Sequence, residues 1–198
     1  CIKTKNGRPV SVRDFNSPCG PPMSFLKYNN HELLIVCMYG ILKYDYFTGK
    51  LVDAGFNLEE LKGSNVTIRK ALIDHAGNIY VGTLGGGLMV IPHGKNKMVK
   101  VENNNGTFSL ASSNVNWLIE DKDNNLWVSC YKKGLYLLND RKVAFTTWSF
   151  SAQNYVIGSS VSSIAKGDNG DTWCTVQGNG VYKFDSNGRI TAHPASPI

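Results

Sequence analysis

A short segment of this 198-residue chain recurs along its length. Three clear copies occupy residues 74–91 (DHAGNIYVGTLGGGLMVI), 121–139 (DKDNNLWVSCYKKGLYLLN) and 168–185 (DNGDTWCTVQGNGVYKFD). Each copy carries a central aromatic residue and, seven residues later, a glycine that opens the next apolar run: Tyr80 and Gly87, Trp127 and Gly134, Trp173 and Gly180. Both landmarks recur at spacings of 47 and then 46 residues, and a weaker copy places Gly40 another 47 residues upstream. Such a period predicts an array of identical supersecondary units.

The pattern inside one period predicts four short antiparallel strands. Around Trp127, strand-like runs occupy 115–119, 126–130, 135–138 and 143–148, with Asp, Asn and Gly residues between them. These turn residues suit hairpins, the runs are rich in β-branched and aromatic residues, and no segment has helical periodicity. One twisted four-stranded sheet every 46 to 47 residues is typical of a β-propeller blade.

We therefore predict an all-β chain, with a single β-propeller segment over residues 1–198. Blades are expected at about 22–55, 67–102, 114–149 and 160–194, preceded by an outer strand at about 8–15. Five outer strands then accompany four sets of inner strands, so the chain is expected to be a fragment of a larger propeller. Open terminal faces predict either a strained four-blade ring or, as the preferred outcome, self-association through the terminal blades.

The recurring landmarks have structural explanations. A bulky residue at the position of Tyr80, Trp127 and Trp173 is expected to fill the wedge between neighbouring blades. The glycine of each copy is expected to need a positive φ or a close backbone approach, because it follows a tight turn.

Composition and charge limit the classes of function. The net charge is +6, but the 21 basic residues are scattered and the longest adjacent pair is Lys132-Lys133, which argues against a nucleic-acid partner. The longest apolar run, 33–42, is too short to cross a membrane. Three of the five cysteines lie in apolar runs and are interpreted as core residues, whereas Cys1 and Cys19 can pair if the environment is oxidising.

The repeat resembles the two-component regulator propeller repeat. The segments GNIYVGTLGGGLMVI (77–91) and NNLWVSCYKKGLYLL (124–138) carry the resemblance most clearly, whereas the copy at 170–184 has CTVQGNG in place of the usual Gly-Thr and double glycine. The resemblance implies the periplasmic sensor region of a hybrid two-component sensor histidine kinase, typically one that senses carbohydrates, with its signalling domains outside this chain. It implies no catalytic residues in this segment and no cofactor.

The connectivity of the predicted blades places candidate ligand-binding residues on one face. In an antiparallel meander, the turns between second and third strands and the entries into first strands lie on the same rim, around the central channel where propellers generally bind. Flat aromatic rings beside amides and cations suit a sugar, particularly an acidic one. The predicted ligand-binding residues are Tyr39, Arg69, Asn116, Tyr131, Lys132, Lys133, Gln177 and Asn179.

Other motifs are better explained as turns. The glycine-rich 82–90 precedes a strand, whereas a phosphate-binding loop needs a helix N-terminus. The stretch 121–125 resembles the start of a calcium loop, but Leu126 takes the position of the required glycine. His31 and His75 fall in turns expected to be solvated caps, and the sequence offers no convergent acid and base. We therefore predict no metal site and no catalytic residues.

Three functional hypotheses remain open at this point. The first is a non-enzymatic sensor segment that binds an oligosaccharide and passes a signal to other domains of the same protein. The second is a propeller enzyme similar to a polysaccharide lyase, which shares the fold but needs an acid and a base. The third is a protein-interaction scaffold.

Overall fold

The computed structural model describes residues 2–5, 8–12, 17–62, 65–101, 110, 113–139, 144–148, 160–178, 180–187 and 189–192. Within these residues the chain forms 18 β-strands and one 3-10 helical turn at Glu59–Leu61. The first two strands, β1 (Ile2–Lys5) and β2 (Arg8–Val12), pair with each other in a two-stranded antiparallel sheet. The remaining strands make four separate four-stranded sheets.

Each four-stranded sheet is an antiparallel meander whose strands, called A to D, pair in chain order. Blade 1 consists of β3 (Pro22–Lys27), β4 (Glu32–Cys37), β5 (Gly40–Asp45) and β6 (Leu51–Asp53). Blade 2 consists of β7 (Thr67–Ile73), β8 (Ile79–Leu84), β9 (Leu88–Ile91) and β10 (Val99–Lys100). Blade 3 consists of β11 (Val115–Glu120), β12 (Leu126–Cys130), β13 (Gly134–Asn139) and β14 (Ala144–Trp148). Blade 4 consists of β15 (Val161–Lys166), β16 (Thr172–Val176), β17 (Gly180–Phe184) and β18 (Ile190–Ala192). The predicted fold class is confirmed.

The A strands lie at the centre of the arrangement. Strand β7 contacts β3 on one side and β11 on the other, and β11 in turn contacts β15. The sheets therefore radiate from adjacent A strands, as the blades of a propeller do.

Blades 1 and 2 share one apolar core. Leu34, Val36 and Ile41 of blade 1 pack against Ile68 and Met89 of blade 2, and all five side chains are buried. Each sheet is apolar on the face that meets its neighbour, so blade-to-blade packing supplies the hydrophobic stabilisation.

In blades 2 and 3 the recurring aromatic residue lies at a blade interface. Trp127 is fully buried against blade 4, with its ring centroid 6.5 Å from that of Phe184. Tyr80 is partly buried against the core that blade 3 contributes. Trp173 of blade 4 is half-buried, and the Lys183 ammonium group lies 5.6 Å from its ring centroid.

The glycine of each copy meets one of two steric requirements. Gly87, Gly134 and Gly180 have φ values of 79°, 87° and 87°, in the left-handed region that favours glycine. Gly40 does not have a positive φ of this kind; instead, a Cβ atom there would lie 2.8 Å from Cβ of Cys19.

The secondary structure gives a direct spectroscopic expectation. Because the described residues contain no α-helix, the far-ultraviolet circular dichroism spectrum should show the single minimum of β-structure. A pronounced helical double minimum would contradict the fold.

Candidate functional site

The B-to-C turns and the entries into the A strands lie on one rim of the blades, here called the B–C rim. In blade 3 the backbone N–H of Tyr131 donates to the carbonyl of Asn114, at 2.8 Å. In blade 4 the N–H of Gln177 donates to the carbonyl of Ser160, also at 2.8 Å. Each turn is thus tied to the segment that leads into the innermost strand of its own blade.

Hydrogen bonds also join the B–C rim from blade to blade. The N–H of Ile68 at the start of blade 2 donates to the carbonyl of Met38 in the turn of blade 1, at 2.9 Å. The N–H of Gly85 in blade 2 donates to Oδ1 of Asn114 in blade 3, at 2.8 Å. The rim is a pre-organised surface in these blades, which lowers the entropy lost when a ligand binds.

Several predicted binding residues are exposed on this rim. Tyr39 and Tyr131 are 60% and 43% exposed, and Gln177 is exposed as well. The Lys132 ammonium group lies 5.3 Å from the ring centroid of Tyr131, and Lys132 itself has a φ of 57°. Lys133 is half-buried. The turn of blade 3 therefore brings together the aromatic ring of Tyr131 and the ammonium group of Lys132.

The predicted binding residues outside blade 3 are spread over the remaining blades. Tyr39 lines a separate cleft of about 680 Å³ beside blade 1, together with Phe56 and Leu58. Gln177 belongs to blade 4. Asn179 lies outside the described residues. Whether these residues bind a ligand stays a prediction.

A β-bulge, which the sequence pattern does not predict, occurs at the same place in every A strand. The strand register shifts between Ile68 and Lys70, so that Arg69 is the extra residue. The corresponding extra residues are Met23, Asn116 and Ser162. Bulges often re-aim side chains near binding sites, and two of the four bulged residues, Arg69 and Asn116, are predicted ligand-binding residues.

The polar bulge residues differ in their exposure and in their hydrogen bonds. Asn116 is half-buried, and its Nδ2 donates to the carbonyl of Val161 in blade 4, at 3.3 Å. The Ser162 hydroxyl lies 2.8 Å from that of Thr175. Arg69 is exposed, which leaves its guanidinium accessible to a carboxylate or sulfate group.

The two loop motifs weighed in the sequence have structural roles. Strand β9 follows the glycine-rich turn of blade 2 directly, so this turn lacks the helix N-terminus of a phosphate-binding loop. Asp121 is buried, and its carboxylate accepts hydrogen bonds from the backbone N–H groups of Asp123 and Asn125, from Asn125 Nδ2 and from Trp127 Nε1. Asp121 therefore anchors the A-to-B turn of blade 3.

The opposite rim, here called the A–B rim, carries a polar contact between blades that the sequence did not reveal. The Nδ1 atom of His75, in the A-to-B turn of blade 2, lies 2.5 Å from Oε1 of Glu120, at the end of β11. The backbone N–H of His75 donates to the same carboxylate at 3.0 Å. Asp74 lies nearby, and its carboxylate accepts two hydrogen bonds from Asn78. His75 thus joins two blades.

A cleft of about 610 Å³ opens between the A strands towards the A–B rim. Its walls carry three lysines, Lys27, Lys70 and Lys166, from blades 1, 2 and 4. Trp117 of blade 3 lies in the wall, with the Lys70 ammonium group 4.2 Å from its ring centroid. The exposed Phe25 also contributes to the lining. The sequence contains a pattern that could have indicated this cleft: Lys27 and Lys166 are equivalent residues, each the last residue of the A strand in its blade.

The buried cysteines lack the environment of nucleophiles. Burial raises the pKa of the Cys130 and Cys174 thiols to about 12. Both thiols therefore stay protonated at neutral pH, and a protonated thiol is a poor nucleophile.

These features define a β-propeller segment with one hydrogen-bonded rim and one cationic central cleft. The family model described as two component regulator propeller matches residues 109–132, which run from before β11 to the B-to-C turn of blade 3. This match confirms the resemblance inferred from the sequence. No curated protein matches the chain.

Solved structures of similar fold include extracellular domains of putative hybrid two component systems. Two extracellular domains of putative hybrid two component systems from B. thetaiotaomicron are 19% and 20% identical, with TM-scores of 0.71 and 0.62. The alignments cover 96% and 85% of this chain but only 24% and 21% of those chains. PorZ, a surface component of the type-IX secretion system of Porphyromonas gingivalis, is 16% identical with a TM-score of 0.69, over 97% of this chain and 30% of its own. At these identities the comparison shows the propeller fold. No helix among the described residues is long and apolar enough to cross a membrane.

Proposed function

We propose that this chain is a non-enzymatic, extracytoplasmic sensor segment that binds an oligosaccharide on its B–C rim. The observation that carries the proposal is the turn of blade 3, where Tyr131 and Lys132 stand together on a rim hydrogen-bonded between blades. An aromatic ring binds the apolar face of a sugar, and an adjacent cation binds a carboxylate or sulfate group.

The match to a two component regulator propeller and the similar fold of extracellular domains of putative hybrid two component systems support a role in signalling. The bound state would then be communicated to a histidine kinase through other domains of the same protein. The location outside the cytoplasm rests on the same comparison.

The proposal is tested by titrating a panel of oligosaccharides into the wild-type chain and the Tyr131→Ala variant. The variant should bind the preferred ligand about tenfold more weakly, because the loss of an aromatic contact of this kind costs about 1.4 kcal/mol.

The matched control is Phe47→Ala, which removes an aromatic ring that is 79% exposed in the C-to-D turn of blade 1. This turn lies on the opposite rim, so the control should bind like the wild type. Equal affinities for all three proteins would contradict a site on the B–C rim, and recovery of a protein partner without any glycan binding would favour a scaffold.

We also propose that the isolated chain self-associates through its terminal blades. Trp173 on blade 4 remains half-buried, and burying such an aromatic against another chain is favourable by about 1.5 to 3 kcal/mol. Sedimentation at micromolar concentration should show a mass that rises with concentration. A compact monomer at every concentration would contradict this proposal.

A further inference from the structure

We propose that the cleft between the A strands is a second binding site, which selects a negatively charged sugar unit such as a hexuronate. This inference rests on the proposed function for its ligand class and extends it to the opposite end of the blades. It is carried by the lysines and aromatic rings of the cleft, none of which was among the predicted binding residues.

Among the described residues of the cleft lining, three lysines outnumber one carboxylate, that of Glu120, so the lining carries a net positive charge. Within the part of the chain that the structure describes, no salt bridge involves Lys27, Lys70 or Lys166. The acidic residue of the lining is Glu120, and its carboxylate pairs with His75. Three like charges around one concave space repel one another, and an anion in that space relieves the repulsion.

The apolar part of the lining suits a sugar ring rather than an inorganic ion. Phe25 is 61% exposed and offers an open aromatic face at the cleft. Ile73 and Ile119 add aliphatic surface. A volume of about 610 Å³ lies within the range of small-molecule sites, about 300 to 1,000 Å³. Charge and shape together favour a sugar with a carboxylate.

The test compares trigalacturonate with its fully methyl-esterified form, which has the same sugar units but uncharged carboxyl groups. Calorimetric titration of the whole chain should show that trigalacturonate binds at least tenfold more tightly than the ester. Replacing Lys27, Lys70 and Lys166 together by glutamine should weaken binding of trigalacturonate at least tenfold, and Phe25→Ala should weaken both ligands.

The matched control replaces Lys50, Lys95 and Lys97 by glutamine, which removes the same charge from exposed positions outside the cleft. This control should bind trigalacturonate like the wild type, because the cleft is intact. The melting temperature of each variant is compared with that of the wild type, so that a loss of binding can be distinguished from a loss of folded protein.

The outcomes separate this site from the B–C rim. The variant in which Lys27, Lys70 and Lys166 are all replaced by glutamine is called the cleft triple variant. If it binds trigalacturonate like the wild type, or if the wild type binds trigalacturonate and its ester equally, the cleft proposal is overturned. If Tyr131→Ala leaves all binding intact while the cleft triple variant loses it, the cleft proposal stands and the B–C rim is not the site.

An independent observation concerns Cys19 and Cys37, from which we infer a disulfide site. The hydroxyl of Ser17 lies 3.3 Å from Sγ of Cys19 and 3.2 Å from Sγ of Cys37, so one small side chain contacts both thiols. Cys37 pairs in register with Gly40, and a Cβ on Gly40 would lie 3.2 Å from Sγ of Cys19. The fold thus places Cys19 beside Cys37.

The reaction is thiol–disulfide exchange with a small-molecule disulfide such as oxidised glutathione. The Cys19 thiolate attacks the small disulfide and releases one glutathione thiol, and the Cys37 sulfur then displaces the second. Two protein thiols are oxidised, and one disulfide is reduced to two thiols. Cys19 is partly exposed, whereas burial raises the pKa of the Cys37 thiol to about 11, so Cys19 starts the exchange.

The test treats the reduced whole chain with oxidised glutathione, blocks free thiols and maps tryptic peptides by mass. Cleavage after Lys27 should leave peptides 14–27 and 28–43 linked, and the oxidised chain should melt at least about 5 °C higher than the reduced chain. Cys19→Ser should abolish both effects. Cys1→Ser should preserve both, and a link from Cys19 to the peptide that contains Cys1, or free thiols at both positions, would overturn the inference.

Discussion

Replacing Trp127 with alanine is expected to lower the free energy of unfolding by about 3 to 5 kcal/mol. The indole ring is fully buried between blades 3 and 4, and its Nε1 donates to the buried carboxylate of Asp121 at 2.8 Å. The substitution leaves a cavity at the blade interface and removes one donor from that carboxylate, and both changes destabilise the folded chain.

The matched control is Trp173→Ala, which makes the same change at the same position of blade 4. Trp173 is only half-buried, so its loss is expected to cost about 1 kcal/mol. Urea unfolding followed by circular dichroism, at a protein concentration low enough for the chain to be monomeric, gives both values. Equal losses for the two variants would contradict the assignment of this aromatic position to the contact between successive blades.

Gly82→Ala is expected to destabilise the chain by about 2 to 3 kcal/mol, although it adds a single methyl group. A Cβ on Gly82 would lie 2.5 Å from Cγ1 and 3.0 Å from Cβ of Val115, the first residue of β11 in the next blade. Val115 is fully buried and β-branched, so its side chain cannot rotate out of the way.

A double-mutant cycle identifies the cause of this loss. Val115→Ala alone creates a cavity, but in the Gly82→Ala background it also removes the closer contact, the one with Cγ1 at 2.5 Å. The stability lost in the double variant should therefore be smaller than the sum of the two single losses by at least about 1 kcal/mol. Additive losses would show that the methyl group on residue 82 acts through another contact.

The repeat period predicted the sheets because the same sequence pattern occurs four times, and each copy predicts the same order of strands as the others. Strand β12 was predicted at its observed bounds, Leu126–Cys130, and all five residues are buried. A short run between two turns that is apolar except for Ser129 is typical of a buried strand in an all-β chain. Trp127 was likewise expected at a blade interface, because a large residue at a fixed place in every unit must serve the contact that every unit makes.

The features near the candidate sites were less predictable because they arise between segments. The bulge at Arg69 depends on how two strands pair, and no single residue of β7 signals it. Lys70 and Trp117 are far apart in sequence, and only the packing of β7 against β11 brings their side chains together. The contact between His75 and Glu120 likewise crosses from one blade to the next.

We propose that this propeller segment binds an oligosaccharide and does not convert it. The most direct measurement is a calorimetric titration with the best ligand of the panel, followed by mass analysis of the ligand after prolonged incubation with the same protein. We expect saturable binding and a ligand of unchanged mass. Shorter or unsaturated products would contradict it in favour of a propeller enzyme, and no binding to any oligosaccharide would contradict it as well.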